Sequence, residues 1–259
     1  MLIVKLFRRE ITMNDCYLLN SNRYETSRML SSLLLFKCQN IFDPLIESFK
    51  NNRHCIIGAE LLVDFQHLKS LGVPLEQSNE LISSGEAAHS SLDYASTILG
   101  KEVVFVNVER CNLCDMKILK RIITLSNQLL LIGIELVIEI TERNFCGICV
   151  RVVEGLTYLK ENKVKLAADD FDYIGYKNDS KEKELVLYYD YIKLEMPVNE
   201  FERMVFNDFI DCYSSVKRII VERVETTRQM KSLPVDKLWG VQGFLFCKGY
   251  MVPRISFSI

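Results

Sequence analysis

The chain has 259 residues, 49% of them hydrophobic and 25% charged, and its 32 basic side chains nearly balance 34 acidic ones to leave a net charge of −2. That composition excludes a largely disordered chain, and the lack of a basic surplus excludes a general nucleic-acid binder. Nine scattered cysteines, an odd number in a chain too long to need staples, argue against a disulfide framework and for a reducing, cytoplasmic location.

The opening residues, Met1 to Glu10, place their apolar run before their charges, the reverse of a secretory signal. Residues 25–37 read as a helix with Met29, Leu30, Leu33 and Leu34 on one face. Residues 1–38 are therefore expected to form an N-terminal extension, with Met13 as an alternative start, and residues 39–259 the main domain. Residues 42–48, entered through Asp43-Pro44, supply a candidate strand, because a proline at a strand start loses only one ladder bond. From residue 56 onward short β-branched runs alternate with longer amphipathic stretches, which predicts strands joined by crossover helices in a parallel sheet. The predicted strands are 56–63, 103–108, 134–141, 164–170, 191–195, 218–224 and 237–246. With the extra strand they close a (β/α)8 barrel, a fold of about 250 residues. The longest apolar stretch, 129–140, is broken by Glu135 and Glu139 and falls short of the roughly 20 residues a bilayer span needs, so no membrane segment is expected. Residues 175–187 form a charged run that reads as a solvated connection, with a partner surface as the alternative.

In a barrel of this kind the site forms at the carboxyl ends of the strands, so polar residues closing apolar strands are the site candidates. They are Glu60, Asn107, Glu139 with Thr141, Asp169 and Asp170, Lys193, Glu222 and Glu225, and Gln242. Alternation sends Glu139 and Thr141 to one side of their strand and Ile138 and Ile140 to the other. Carboxylates converging at one mouth repel one another unless a counter-charge joins them. Carboxylate and amide oxygens suit Mg²⁺, Mn²⁺ or Ca²⁺, and three histidines are too few for an imidazole-rich zinc site.

The ordered series Ala-Glu60-Leu-Leu, Val-Asn107-Val, Glu139-Ile-Thr-Glu142, Asp169-Asp170-Phe, Tyr-Ile-Lys193-Leu and Val-Glu222-x-Val-Glu225-Thr, ending in Gln242-Gly-Phe-Leu-Phe, resembles the motifs of EAL-domain cyclic di-GMP phosphodiesterases over about residues 41–251. The resemblance implies a modified barrel in which Glu60, Asn107, Glu139, Asp169 and Asp170 hold Mg²⁺ or Mn²⁺. It further implies that Lys193 orients or polarises the attacking water, Glu222 assists as base or ligand, and Glu142 steadies the loop after Asp170. Glu225 and Gln242 complete the pocket.

Departures from that pattern fall in the substrate and loop positions. Asp43 stands where the family has Gln before Pro, and Asp64 where an Arg would meet the substrate phosphate. Each adds negative charge; two unit charges about 6 Å apart repel by roughly 3 kcal/mol at an effective dielectric of about 20, about a hundredfold in affinity. Arg110, Arg143 and Arg223 are candidates to compensate, although Arg223 replaces a Gly. The family loop after the paired aspartates becomes Asp172-Tyr-Ile-Gly-Tyr-Lys177, from which a poorly ordered metal centre and a monomer or weak dimer are expected. These changes resemble those of degenerate EAL-like regulators. They favour a protein with little or no hydrolysis that binds a protein partner, the flagellar master activator FlhDC, and lowers motility; cyclic di-GMP would bind weakly and no metal be required. The alternatives are an active phosphodiesterase and a non-hydrolysing cyclic di-GMP sensor. Cys111/Cys114 and Cys146/Cys149 have zinc-knuckle gaps, but the distance between the pairs favours ordinary buried thiols, and the lone Trp239 reads as core.

Overall fold

A computed structural model of the chain describes residues 33–45, 55–98, 100–141, 149–176 and 180–252. Strands β1 (Phe36–Phe42), β2 (Ile56–Val63), β3 (Val103–Glu109), β4 (Glu135–Thr141), β5 (Lys165–Ala168), β6 (Tyr191–Glu195), β7 (Arg218–Glu222) and β8 (Gly240–Val241) follow one another around a barrel. Strands β2 to β8 are parallel, and β1 closes the ring by pairing antiparallel with both β2 and β8. A short β9 (Tyr250–Met251) adds to the other end of β1.

Helices α1 (Phe65–Ser70), α2 (Leu75–Ile82) and α3 (Gly85–Ala95) join β2 to β3. Later crossovers run through α4 (Met116–Leu131), α5 (Val150–Glu161), α6 (Ser180–Leu185), α7 (Glu200–Tyr213) and α8 (Thr227–Lys231). The helix α4 shows why these segments lie down on the sheet. Its buried residues Ile118, Leu119, Ile122, Leu125 and Leu129 recur at helical spacing, and Asp115 caps it by accepting from the Lys117 amide at 2.7 Å. No helix among the described residues is long and apolar enough to cross a membrane.

Alternation along the strands sorts the core into two shells. Leu136, Ile138 and Ile140 of β4 face outward to the helices, whereas Ile41, Phe105, Val137, Ala167, Tyr191 and Ile220 fill the barrel interior. Below this layer Trp239 meets Tyr191 edge-on at 5.0 Å, Tyr191 donates to Glu135 at 2.5 Å, and the Arg218 guanidinium lies 5.2 Å from the Tyr191 ring. Trp239 is thus part of the barrel floor, as expected.

Four expectations require correction. Phe36 and Lys37, placed in a helix by the pattern of 25–37, begin β1; residues 25–32 lie outside the described residues. Burial of Leu34, Phe36 and Cys38 at period two, paired in register with β2, overrides the helical pattern, and the expected boundary after residue 38 falls inside β1. The extra strand therefore precedes Asp43-Pro44, and residues 46–48 lie outside the described residues. The last predicted strand, 237–246, contracts to Gly240–Val241. There the chain turns at Gly243, with φ 154°, packed so closely on Val224 that a Cβ would sit 2.2 Å from its carbonyl oxygen. Within the charged run, α6 buries Leu185, and Val186 just after it is also buried, leaving Leu187 at the surface; residues 177–179 lie outside the described residues.

Candidate functional site

The polar layer is built two residues beyond the apolar interior. Phe105 is followed at that spacing by Asn107, Val137 by Glu139, Ala167 by Asp169, Tyr191 by Lys193 and Ile220 by Glu222. Period two keeps the side chains on the same face, and the shared strand direction raises them all to the carboxyl mouth. On antiparallel β1 the corresponding step runs backwards, from Ile41 to Gln39, which stands directly opposite Glu60 in register.

Lys193 lies at the centre with no exposure to solvent. Its Nζ donates to Glu139 Oε1 at 2.5 Å and Glu60 Oε2 at 2.9 Å, pairs with Glu222 Oε1 at 2.7 Å, and lies 3.8 Å from Asp169 Oδ1. Glu60 also accepts from Asn107 Nδ2 at 3.0 Å and from Gln242 Nε2 at 2.7 Å. Gln242 donates in addition to Gln39, which donates to the Cys247 carbonyl, so the segment after β8 is tied to the mouth.

Burial opposes the Lys193 charge, but Glu139, Glu222, Glu60 and Asp169 outweigh it and hold the ammonium protonated well above the ordinary lysine range. Glu139 is driven well above the ordinary carboxylate range by burial and by Glu60, with Lys193 opposing. Burial pushes Glu222 up to about 8, Glu60 and Asp169 reinforcing it and Lys193 opposing. Asp170 rises to about 6 through burial and the charges of Asp169 and Glu195.

The donor set fits a hard cation. Carboxylate oxygens of Asp169, Asp170 and Glu222 lie within 4.8 Å of one another. Two further buried acceptors, Glu139 Oε2 and Asn107 Oδ1, have no hydrogen-bond donor among the described residues. Unmet acceptors facing a knot of carboxylates are what a divalent cation with oxygen ligands would complete.

Other expected site residues sit elsewhere. Asp43 lies past the β1 end that pairs with the start of β2, at the opposite mouth, where it accepts from the Leu45 amide. The amide facing Glu60 from β1 is Gln39, four residues earlier. Asp64 is buried, caps α1 by accepting from the Gln66 amide at 3.1 Å, and pairs with Lys37 at 2.7 Å. Burial works against its charge, but Lys37 and the amides of His67 and Gln66 hold its carboxyl below the usual range. Asp172 accepts from the amides of Ile174 and Gly175, an Asx-type turn. Arg223 points outward to Glu195 at 2.7 Å, and its φ of 55°, rather than crowding, is the backbone reason a glycine suits that position. Glu225 is exposed beside the Thr226–Gln229 capping box of α8. Arg110 is buried after β3. Glu142, Arg143 and Cys146 lie outside the described residues. Among the described residues no cysteine belongs to a cluster of potential metal ligands.

The loop after β5 is packed against α7. Phe171, Tyr173 and Tyr176 are buried against Phe206 and Phe209 of α7, because this chain places aromatic side chains along that turn. Gln39 and Glu109 were missed. Glu109 is buried and accepts from Thr141 at 2.8 Å, beside a 170 Å³ cavity also lined by Leu61, Phe65, Asn107 and Asn112. The alternation Asn107-Val-Glu109 carried that signal.

A closed barrel of mixed strand direction, with a polar layer at the carboxyl mouth, defines the EAL-type fold. An EAL domain protein from Listeria monocytogenes superposes with a TM-score of 0.56 at 18% identity, over 86% of this chain and 90% of that one. Klebsiella pneumoniae BlrP1, in a manganese and cyclic di-GMP complex, gives 0.62 at 19% identity over 85% of this chain and 56% of that chain. The EAL enzyme Bd1971 in its cGMP-bound form gives 0.64 at 15% identity over 94% of this chain and 68% of that one. No family model matches the chain, and no curated protein does.

Proposed function

We propose that this chain is a divalent-cation-dependent phosphodiesterase acting on cyclic di-GMP. The observation that carries this reading is the ring of five carboxylates, Glu60, Glu139, Asp169, Asp170 and Glu222, gathered with Asn107 at one mouth around Lys193. The manganese and cyclic di-GMP complex of BlrP1 supports the same ligand pair here. Glu60, Asn107, Glu139, Asp169 and Asp170 would hold Mg²⁺ or Mn²⁺. When bound, such an ion lowers the pKa of the attacking water and neutralises charge developing on the phosphoryl oxygens. Lys193, kept protonated, fixes the carboxylates and is no general base. Glu222, poised at about 8, exchanges a proton near neutral pH and is the candidate acid or base.

A second reading, a weakly hydrolysing or inactive regulator in the cytoplasm that acts by binding FlhDC, is favoured by one observation. The position that the resemblance gives to a phosphate-binding arginine is occupied by Asp64, whose carboxylate is committed to Lys37 and to the α1 amides. One titration separates these readings and the sensor reading: purified protein with Mn²⁺ and cyclic di-GMP, following linear product and binding heat together. Turnover abolished by Lys193→Ala supports the enzyme, and heat without product supports a sensor. Silence in both channels, with FlhDC retained by the immobilised protein, establishes the regulator.

A further inference from the structure

Asp170 occupies the left-handed region at φ 43° without being glycine. Such a backbone is disfavoured and persists only where its surroundings over-determine it. Here both flanks are tied down. The Asp169 amide donates to the Ile140 carbonyl on β4 at 3.4 Å, and the Phe171 amide to the Lys193 carbonyl on β6 at 3.0 Å.

Side chains beyond the turn hold it from the other side. The Phe171 ring lies 5.3 Å from Phe209 and 5.6 Å from Tyr176; Tyr176 stands edge-on to Phe209 at 5.2 Å, and Tyr173 edge-on to Phe206 at 5.5 Å. Tyr213 closes the stack, 4.6 Å from Phe209 and 6.1 Å from Tyr176. Aromatic pairs at these separations favour tilted and edge-on arrangements and so fix direction as well as area.

We infer that this stack is an aromatic clamp whose members are positioning residues for Asp169 and Asp170: α7, on the outside of the barrel, holds the turn that brings the two carboxylates to Glu222. None of the six rings belongs to the carboxylate cluster of Asp169, Asp170 and Glu222. Their effect passes through the backbone of residues 169–171, and the inference rests on the cation-binding reading proposed above.

The test compares Phe209→Leu and the rim variant Tyr213→Ala with Tyr213→Phe, which keeps the ring, and with Tyr94→Leu, which removes a ring packed 4.4 Å from Phe36. Mn²⁺ affinity is measured by calorimetry, and hydrogen exchange is followed in the peptide spanning 169–176. Phe209→Leu and Tyr213→Ala are expected to weaken Mn²⁺ about tenfold, equivalent to about 1.4 kcal/mol, and to speed exchange of that peptide by a similar factor. Tyr213→Phe should retain wild-type values, and Tyr94→Leu should lower thermal stability alone. Clamp variants that lower only stability, as Tyr94→Leu does, would overturn the inference. Wild-type protein that binds no Mn²⁺ would overturn the cation reading instead, and exchange speeded in the clamp variants alone would still support the clamp.

Discussion

The ammonium of Lys193 lies 2.5 Å from the Glu139 carboxylate, with both side chains fully buried. An ammonium so far from water persists because Glu60 and Glu222 share it with Glu139 and because Asn107 and Gln242 satisfy Glu60.

Replacing that cation breaks the arrangement asymmetrically. Lys193→Met leaves Glu60, Glu139 and Glu222 without their counter-charge and is expected to cost about 3–5 kcal/mol, the usual result of removing one partner of a buried pair. At about 2–4 °C per kcal/mol for a chain of this size, the midpoint falls by about 10 °C. Added Mn²⁺ should recover a larger share of stability in the variant than it adds to wild type. A variant as stable as wild type and indifferent to Mn²⁺ would contradict the central role given to Lys193.

Stability should fall as pH rises through neutrality. Glu222 at about 8 and Asp170 at about 6 both titrate above the ordinary carboxylate range, so the folded chain retains protons that the unfolded chain has released. Raising pH strips those protons from the folded state, and the stabilisation present at acid pH is lost progressively up to about 8. A cation replaces the same protons, so its affinity climbs over the same interval. Thermal melts from about pH 5 to about pH 9, with and without Mn²⁺, would show the two trends in opposite directions; a flat profile would count against both shifts.

Arg223→Gly should stabilise the protein slightly. Relief of a left-handed non-glycine residue is worth about 1–2 kcal/mol, and the ion pair with Glu195 that is lost is largely exposed and contributes at most about 1 kcal/mol. A midpoint raised by about 2 °C is expected. A clear fall would mean that Arg223 does more at the mouth than pair with Glu195.

Asp64→Ala tests whether the acid at this position repels ligand or holds the fold. With its charge met by Lys37 and the α1 amides, its removal should cost about 1–2 kcal/mol and leave cyclic di-GMP affinity unchanged. A gain of tenfold or more in calorimetric affinity would restore electrostatic repulsion as the reason for the substitution.

Chain pattern alone sufficed for most of the barrel and for its polar layer. Strand β2 coincides with the predicted 56–63 and β6 with 191–195, and the inward course of Glu139 follows from its place two residues after Val137. Those are local properties: a repeat of two sets the facing of every side chain on a strand, and parallel strands bring their last residues to one end. Strand direction was invisible, because a residue gives no sign of whether its neighbour in the sheet runs with it or against it. The antiparallel course of β1 carries Asp43 away from the mouth and puts Gln39 opposite Glu60. Pairing partners were invisible for the same reason: Lys37 meets Asp64 and α7 meets the turn after Asp170 only once the ring has closed. Charges and rings far apart along the chain interact by distance in space, which the order of residues does not contain.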